Sequence, residues 1–322
     1  MDIWYGLDSV PALEKGTVVT IGVFDGVHRG HQRLITNAVE KARDLDVPCV
    51  LMTFDPHPVA VFAPERTPTM LATPAERADL VAELGVDHLL IIDFTEELAG
   101  ESPQDYFRNV IVDKLNAKHV LVGQNFTFGA GGLGTSQTME SLGEQYGVGV
   151  TIVELLVDDG VRVCSTNIRN DLTAGDVRGA AEALGRRFSV TSEIERGAGR
   201  GGKELGYPTA NQYFDEAEAL PGDGVYAGWF TVVDEGELDG DMEPGVRYPA
   251  AISIGTNPTF GDNQRSVESF ILDQDADLYG RIATVEFVEK VRDMVKFNSV
   301  DDLLVNMAND VATTRKILQL NS

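Results

Sequence analysis

TIGVFDGVHRGHQRL, residues 20–34, decides how the first half of this chain is read. An apolar run ends in Gly22, Val23, Phe24, Asp25 and Gly26, and His28, Arg29, Gly30 and His31 follow at the opening of a helical pattern. Strand, glycine turn and helix in that order predict a ligand site. Gly22, Gly26 and Gly30 allow close backbone approach. The helix opening offers free N–H groups and partial positive charge to a phosphate. His28 and His31 stand three residues apart, so on a helical turn they share a face. Imidazoles there can hydrogen-bond phosphate oxygens and, when protonated, stabilise charge that develops during substitution at phosphorus. Surface histidines at a helix start are the plain alternative. The full combination of strand, Gly, Asp-Gly, H-x-G-H and helix favours function. Zinc is disfavoured, because no third ligand or cysteine lies near.

Working outward, β-like runs at 18–24, 48–54, 88–94, 119–123 and 150–156 alternate with helical patterns such as 31–45 and 102–115. Such alternation predicts a parallel sheet covered on both faces, with ligands at the carboxyl ends of its strands. FDPHP (54–58) and GQNFTFGAGGLG (123–134) fall at such ends. Asn125 is placed to read a base edge or a phosphate. Phe126 and Phe128 read equally as ring-flanking or as core. His57 reads as a turn residue or a site residue, and His88 and His119 read as structural.

The pattern changes near residue 186. Strand-like stretches at 187–196, 223–233, 248–257, 266–273 and 283–291 are joined by Gly/Pro/Asn-rich connections. They predict an antiparallel sheet or small barrel. Residues 299–320 read as a helix opened by Ser299 and Asp302. Two domains result, 1–186 and 187–322. The loop RGAGRGGKELGYPTAN (196–211) nearly matches a P-loop, but Glu204 stands where a Ser or Thr must meet magnesium, and Gly206 and Pro208 prevent a following helix. Its G-x-G-x-x-G, like the one at Gly129, Gly131 and Gly134, does not combine the preceding strand, following helix and later acid of a dinucleotide turn. Its five glycines, with Arg200 and Lys203 among them, still suit phosphate wrapping. Thr209 and Asn211 lie two apart and face one side of an extended segment, as oxygen ligands for Mg²⁺ would.

Composition limits the partners. The chain has 322 residues, 26 Lys+Arg and 51 Asp+Glu, for a net charge of −25. Nucleic-acid binding and anionic membrane surfaces are disfavoured. The acids form no long block, so solubility is the plain reading. No apolar run approaches the roughly 18 residues needed to span a bilayer, and no secretory signal is expected. Two cysteines, Cys49 and Cys164, fit a reducing cytoplasm. The chain is compatible with a homo-oligomer, but the sequence sets no state.

GVFDGVHRGH resembles the H-x-G-H motif of nucleotidyltransferases. Val163-Cys164-Ser165-Thr166-Asn167-Ile168-Arg169 resembles that superfamily's second motif, I-S-S-T-x-x-R, with Cys164 where Ser is usual. GRGGKELGYPTAN, GTNPTFG (255–261) and SVESFILD (266–273) are similar to the signature of riboflavin kinase domains. Together the motifs resemble the bifunctional bacterial riboflavin kinase/FAD synthetase family over roughly residues 15–320. The resemblance implies an α/β chain: a doubly wound parallel sheet of the nucleotidyltransferase type, then a small antiparallel β-barrel with a C-terminal helix. It implies that riboflavin is phosphorylated to FMN in the second domain and FMN adenylylated to FAD in the first, with ATP as co-substrate of both and Mg²⁺. In the first domain His28 and His31 are implied to be catalytic. Gly22, Phe24, Asp25, Gly26 and Gly30 would shape the nucleotide site, and Asn125, Arg162, Ser165, Thr166 and Arg169 would hold phosphates. In the second, Glu268 would be the general base and Thr209 and Asn211 the metal ligands. Gly199, Gly201, Lys203, Gly206, Pro208, Asn257, Phe260 and Arg265 would contact ATP or flavin. A nucleotidyltransferase for another phosphate-bearing acceptor explains only the first half. A catalytically dead flavin- or nucleotide-binding regulator is opposed by the intact motifs.

Overall fold

The computed structural model describes residues 1–196, 207–257, 262–297 and 299–320. The chain divides into two compact units, Met1–Ser165 and Thr166–Ser322.

In the first unit six strands form one sheet: β1 (Asp2–Tyr5), β2 (Thr17–Ile21), β3 (Cys49–Phe54), β4 (His88–Ile92), β5 (Ala117–Gly123) and β6 (Gly149–Val153). Their order is β1-β4-β3-β2-β5-β6, and all neighbours are parallel. Every residue of β2 is buried, which is why the sequence shows a continuous apolar run there rather than alternation. Alternate strand residues feed two cores. Val19, Val50, Met52 and Val120 pack with Phe107, Ile111 and Met139. Val18, Leu51, Leu89 and Leu121 pack with Leu34, Ile35, Ala78 and Val81. Helices α1 (Arg29–Asp44) and α2 (Pro74–Glu83) therefore cover one face. Helix α3 (Ser136–Tyr146) and the π-helical stretch Phe107–Lys114 cover the other. The chain steps outward from β2 to β3 and β4, then returns to place β5 on the far side of β2. That reversal is the topological switch point, where open α/β sheets hold ligands.

The second unit contains nearly all of α4 (Ser165–Ala174), then α5 (Val177–Leu184), a barrel and α6 (Val300–Ile317). The barrel strands are β7 (Ser189–Glu195), β8 (Ala210–Tyr213), β9 (Gly224–Val232), β10 (Tyr248–Asn257), β11 (Asp262–Ile271) and β12 (Ile282–Arg292). They close in the order β7-β8-β11-β10-β9-β12 with antiparallel neighbours. Closure pairs every strand on both sides. Where β9 and β12 shift register beside Gly228, a Cβ at that position would stand 2.2 Å from the Glu286 carbonyl oxygen, so only glycine fits. Helix α6 is capped by Ser299, whose hydroxyl accepts from Asp302 N–H at 3.1 Å. Two ion pairs fasten α6 to the rest of its unit: Arg292 grips Asp310 through Nε and Nη2, and Arg315 Nη2 donates to both oxygens of Asp273.

Candidate active sites

The carboxyl ends of the central strands open into a cavity of about 800 Å³, toward the upper end of small-molecule sites. Its wall includes Gly22, His28, His31, Phe54, Phe126 and Arg162. The turn that leads into α1 is contorted. Phe24 and Val27 have φ of +52° and +41°, and Gly26 has +76°. Left-handed backbone at a β-branched residue is costly and persists only when its surroundings impose it. Here Asp25, 2% exposed, accepts from Leu71 N–H at 2.9 Å, and its carbonyl accepts from the Ser165 hydroxyl at 3.0 Å. Asp25 thus helps to build the turn. Ser165 fastens the same turn, so its hydroxyl proton is already engaged.

His28 caps α1 by accepting the His31 backbone N–H on Nδ1 at 3.2 Å. A neutral His28 must then carry its proton on Nε2. Gly30 makes this cap possible: a Cβ there would stand 3.1 Å from His28 Cε1. The two imidazoles stack with centroids 3.6 Å apart, and Phe24 packs edge-on against His31. Gly22 leaves room for the Phe24 ring. Burial, then the neighbouring His28, then Arg77 hold His31 well below the usual imidazole pKa. His31 therefore stands neutral near pH 7, where the sequence reading treats both rings as potential cations. Its Nδ1 is buried without a hydrogen-bond partner.

Asn125 is exposed at the cavity wall, and Phe126 and Phe128 stack at 5.7 Å, with Phe128 7% exposed. His57 lines the cavity and accepts Val59 N–H on Nδ1 at 3.1 Å. Arg162 lies on a two-stranded hairpin, Val157–Asp158 with Val161–Arg162. Thr166 and Arg169, expected beside it, follow Ser165 on α4 and belong to the second unit. Arg77, which the sequence reading did not single out, lies buried on α2 and donates to the ends of β2 and β3. Only its place in a capped helix, T-P-A-E-R at 73–77, was visible in advance.

In the second unit, register brings the expected metal ligand Asn211 and the expected base Glu268 together. Asn211 on β8 lies directly opposite Glu268 on β11, and Glu268 lies opposite Ser253 on β10. Such cross-strand neighbours share a sheet face at roughly 5 Å between Cβ atoms. Val267 and Ser269, of the opposite parity, are wholly buried, so Glu268 projects from the other face, half-buried. Ser266 donates its hydroxyl proton to Glu268 Oε1 at 3.1 Å. Asn211 donates its amide N–H to the Thr209 carbonyl at 3.1 Å, so the oxygen of the amide is the atom that could meet a cation. An amide oxygen and a hydroxyl are donors of the kind Mg²⁺ takes. Pro208 is exposed beside them. Arg265, expected at the flavin, is engaged by Asp223 at 2.8 Å and by the Pro221 carbonyl. Asn257 ends β10. Gly199, Gly201, Lys203, Gly206 and Phe260 lie outside the described residues. Among the described residues, no group of three or more His, Cys, Asp or Glu is placed to hold a metal, and no helix is long and apolar enough to cross a membrane.

Comparison with known proteins agrees with this division of sites. A family model described as FAD synthetase matches residues 10–167, and one described as riboflavin kinase matches 184–318. The bifunctional riboflavin kinase/FMN adenylyltransferase of Escherichia coli (strain K12) is 33% identical over 96% of this chain and 95% of its own. That of Pseudomonas fluorescens is 35% identical over 98% of each. A crystal structure described as a macrolide-efflux protein from Streptococcus pneumoniae shares the fold, with a TM-score of 0.85 and 29% identity over 98% of this chain and 99% of that one. Two sites of different design, two family models in matching order and full-length relatives converge: the chain belongs to the bifunctional riboflavin kinase/FMN adenylyltransferase family.

Proposed function

We propose that residues 187–322 phosphorylate riboflavin to FMN and residues 1–186 adenylylate FMN to FAD, each with ATP. The observation that carries this reading is one built site per unit: the stacked histidines at the cavity of the first, and the Asn211–Glu268 pair of the second.

In the kinase step, Glu268 takes the proton of the riboflavin 5′-hydroxyl as its oxygen attacks the γ-phosphorus of ATP. The bond to the β-phosphate oxygen breaks and ADP leaves. Ser266 holds Glu268 by one oxygen. Thr209 and Asn211 would hold Mg²⁺, which when bound neutralises phosphate charge. In the adenylylation step, an FMN phosphate oxygen attacks the α-phosphorus of a second ATP and pyrophosphate leaves. His28 presents Nε2–H to the phosphates because the α1 backbone occupies its Nδ1. A neutral His31 works beside it as a hydrogen-bond donor. The aromatic part of the cavity, with Phe54, Phe62, Phe126 and Phe128, suits the flavin ring. Asn125 and Arg162 suit phosphate or base contact. Both reactions are positioning and electrostatics. A cytoplasmic setting is supported by Cys49 and Cys164, neither of which is bridged.

The test is direct. Protein incubated with riboflavin, excess ATP and Mg²⁺ yields FMN and then FAD, resolved by chromatography over time. FMN without FAD would remove the adenylylation assignment. FAD formed only from supplied FMN would remove the kinase assignment.

A further inference from the structure

Arg77 is 3% exposed, in a position where an apolar side chain would fill the space without the cost of burying a guanidinium. Its Nη1 donates to the Val23 carbonyl at 3.1 Å, to Thr53 Oγ1 at 3.0 Å and to the Phe54 carbonyl at 3.5 Å. Thr53 Oγ1 in turn donates to the same Val23 carbonyl at 2.9 Å. The carboxyl ends of β2 and β3 are thereby joined at the residue just before Phe24, where the backbone becomes left-handed.

A second contact runs the other way. Leu71 N–H, ahead of α2, donates to Asp25 Oδ1. The start of α2 is itself held by a reciprocal cap, with Thr73 and Glu76 each accepting the other's backbone N–H. The turn is thus gripped at Val23 by Arg77 and at Asp25 by Leu71. Three residues beyond Asp25 stands His28, and three beyond that His31. Among the described residues the buried guanidinium Nε has no hydrogen-bond partner, so the side chain is not placed to satisfy itself. It is placed to serve Val23 and Thr53.

We propose that Arg77 is a positioning residue for FMN adenylylation: its buried guanidinium joins the ends of β2 and β3 and so fixes the turn that presents His28 and His31. The inference rests on the adenylyltransferase reading of the first unit.

Its charge has a second effect. The titratable and charged groups acting on His31 are His28 on α1 and Arg77 on α2. Asp25 of the turn and Asp55 beyond β3 act on Arg77. His57, Glu96, Glu154 and Arg162 share the cavity wall. Removing the Arg77 charge removes one of the influences that keep His31 neutral, so His31 should protonate at higher pH.

Arg77→Met and Arg77→Lys separate geometry from charge in the full chain. With FMN and ATP·Mg²⁺ as probes, Arg77→Met should lower the kcat of FAD formation about tenfold to a hundredfold, the scale of a small misplacement of reacting groups. Riboflavin phosphorylation should be unchanged. The acid limb of the kcat/KM profile for FAD formation, which reports the free enzyme, should move to higher pH. NMR titration of the His31 imidazole should move the same way. Arg77→Lys keeps the charge and loses the fan of contacts, so kcat should fall while the limb and the His31 titration stay. Wild-type FAD formation by Arg77→Met, or an unmoved His31, overturns the proposal. If Arg77→Met does not fold, Thr53→Val decides: reduced kcat with normal kinase activity supports the proposal, and unchanged kcat overturns it. If the wild type makes no FAD, the adenylyltransferase reading fails, while the His31 titration still tests what Arg77 does to the turn.

Discussion

A methyl group on residue 30 would stand 3.1 Å from His28 Cε1 and 3.2 Å from its Nδ1. Few real Cβ contacts are so close, and the atoms met belong to the ring that caps α1. Gly30→Ala should therefore displace His28 and lower FAD formation by about tenfold or more. Thermal stability should drop by about 1 kcal/mol, the scale of a lost cap, and kinase activity should stay. Turnover of FMN and of riboflavin by the same preparation checks this. The glycine of H-x-G-H is thus explained by the histidine two residues before it as well as by ligand approach. His31 makes a different prediction. Its imidazole is held below its ordinary value of 6.5, chiefly by burial. As pH falls below about 6.5 the unfolded chain takes up the proton first, so stability present above that pH is lost on acidification. His31→Gln should flatten the urea-denaturation midpoint between about pH 6.5 and 5 relative to wild type. An equal slope in both proteins would mean that His31 is not the group responsible.

Elements that announce themselves in sequence here are those with a bounded apolar run or a clear cap. β2 through β6 were legible because their apolar runs are bounded by Gly, Pro and Asp, and α6 because of Ser299 and Asp302. β1 was not, since its four residues form a mostly exposed edge. α2 carries a Thr73/Glu76 capping box and Pro74, yet its function rests on Arg77, whose partners lie 54 and 24 residues away. Such a contact leaves no local periodicity. The opposition of Asn211 and Glu268 is equally invisible, because register between strands 57 residues apart is fixed by the closed barrel; there the family resemblance supplied what spacing does not. The attachment of α6 is testable as an element. Ser299→Ala should cost about 1 kcal/mol. Asp310, 7% exposed, takes both Arg292 nitrogens at 2.8 and 2.7 Å. Asp310→Ala should therefore cost more, about 2–4 kcal/mol, because it strands a largely covered guanidinium. Chemical denaturation of the two variants should rank them in that order.

At the scale of the molecule, two activities in one chain predict separable losses. His28→Ala should abolish FAD formation and keep FMN formation, and Glu268→Ala should keep FAD formation from supplied FMN and lose phosphorylation of riboflavin. A folded variant that lost both would refute independent sites. Where one unit ends is a different question from where one chemistry ends. The change from alternating helices to consecutive strands lies near residue 186, and it marked the expected boundary. The packing division falls instead between Ser165 and Thr166. The reason lies in α4 and α5. Leu172 gives its carbonyl to Gly222 N–H at 2.7 Å, and Arg178 pairs with Glu289 of β12 at 2.5 Å. Ile168, Leu172, Val177, Ala180 and Leu184 are each at most 1% exposed. These helices look in sequence like a continuation of the first half's alternation, yet these two bonds tie them to the barrel's unit. Burying one Leu, Ile or Val is worth about 1.5–3 kcal/mol, so losing this set should cost several kcal/mol. A fragment of residues 166–322 should unfold cooperatively at a higher temperature than one of residues 187–322, which should melt early or aggregate. Calorimetry of the two fragments gives the comparison, and equal melting temperatures would return α4 and α5 to the first unit.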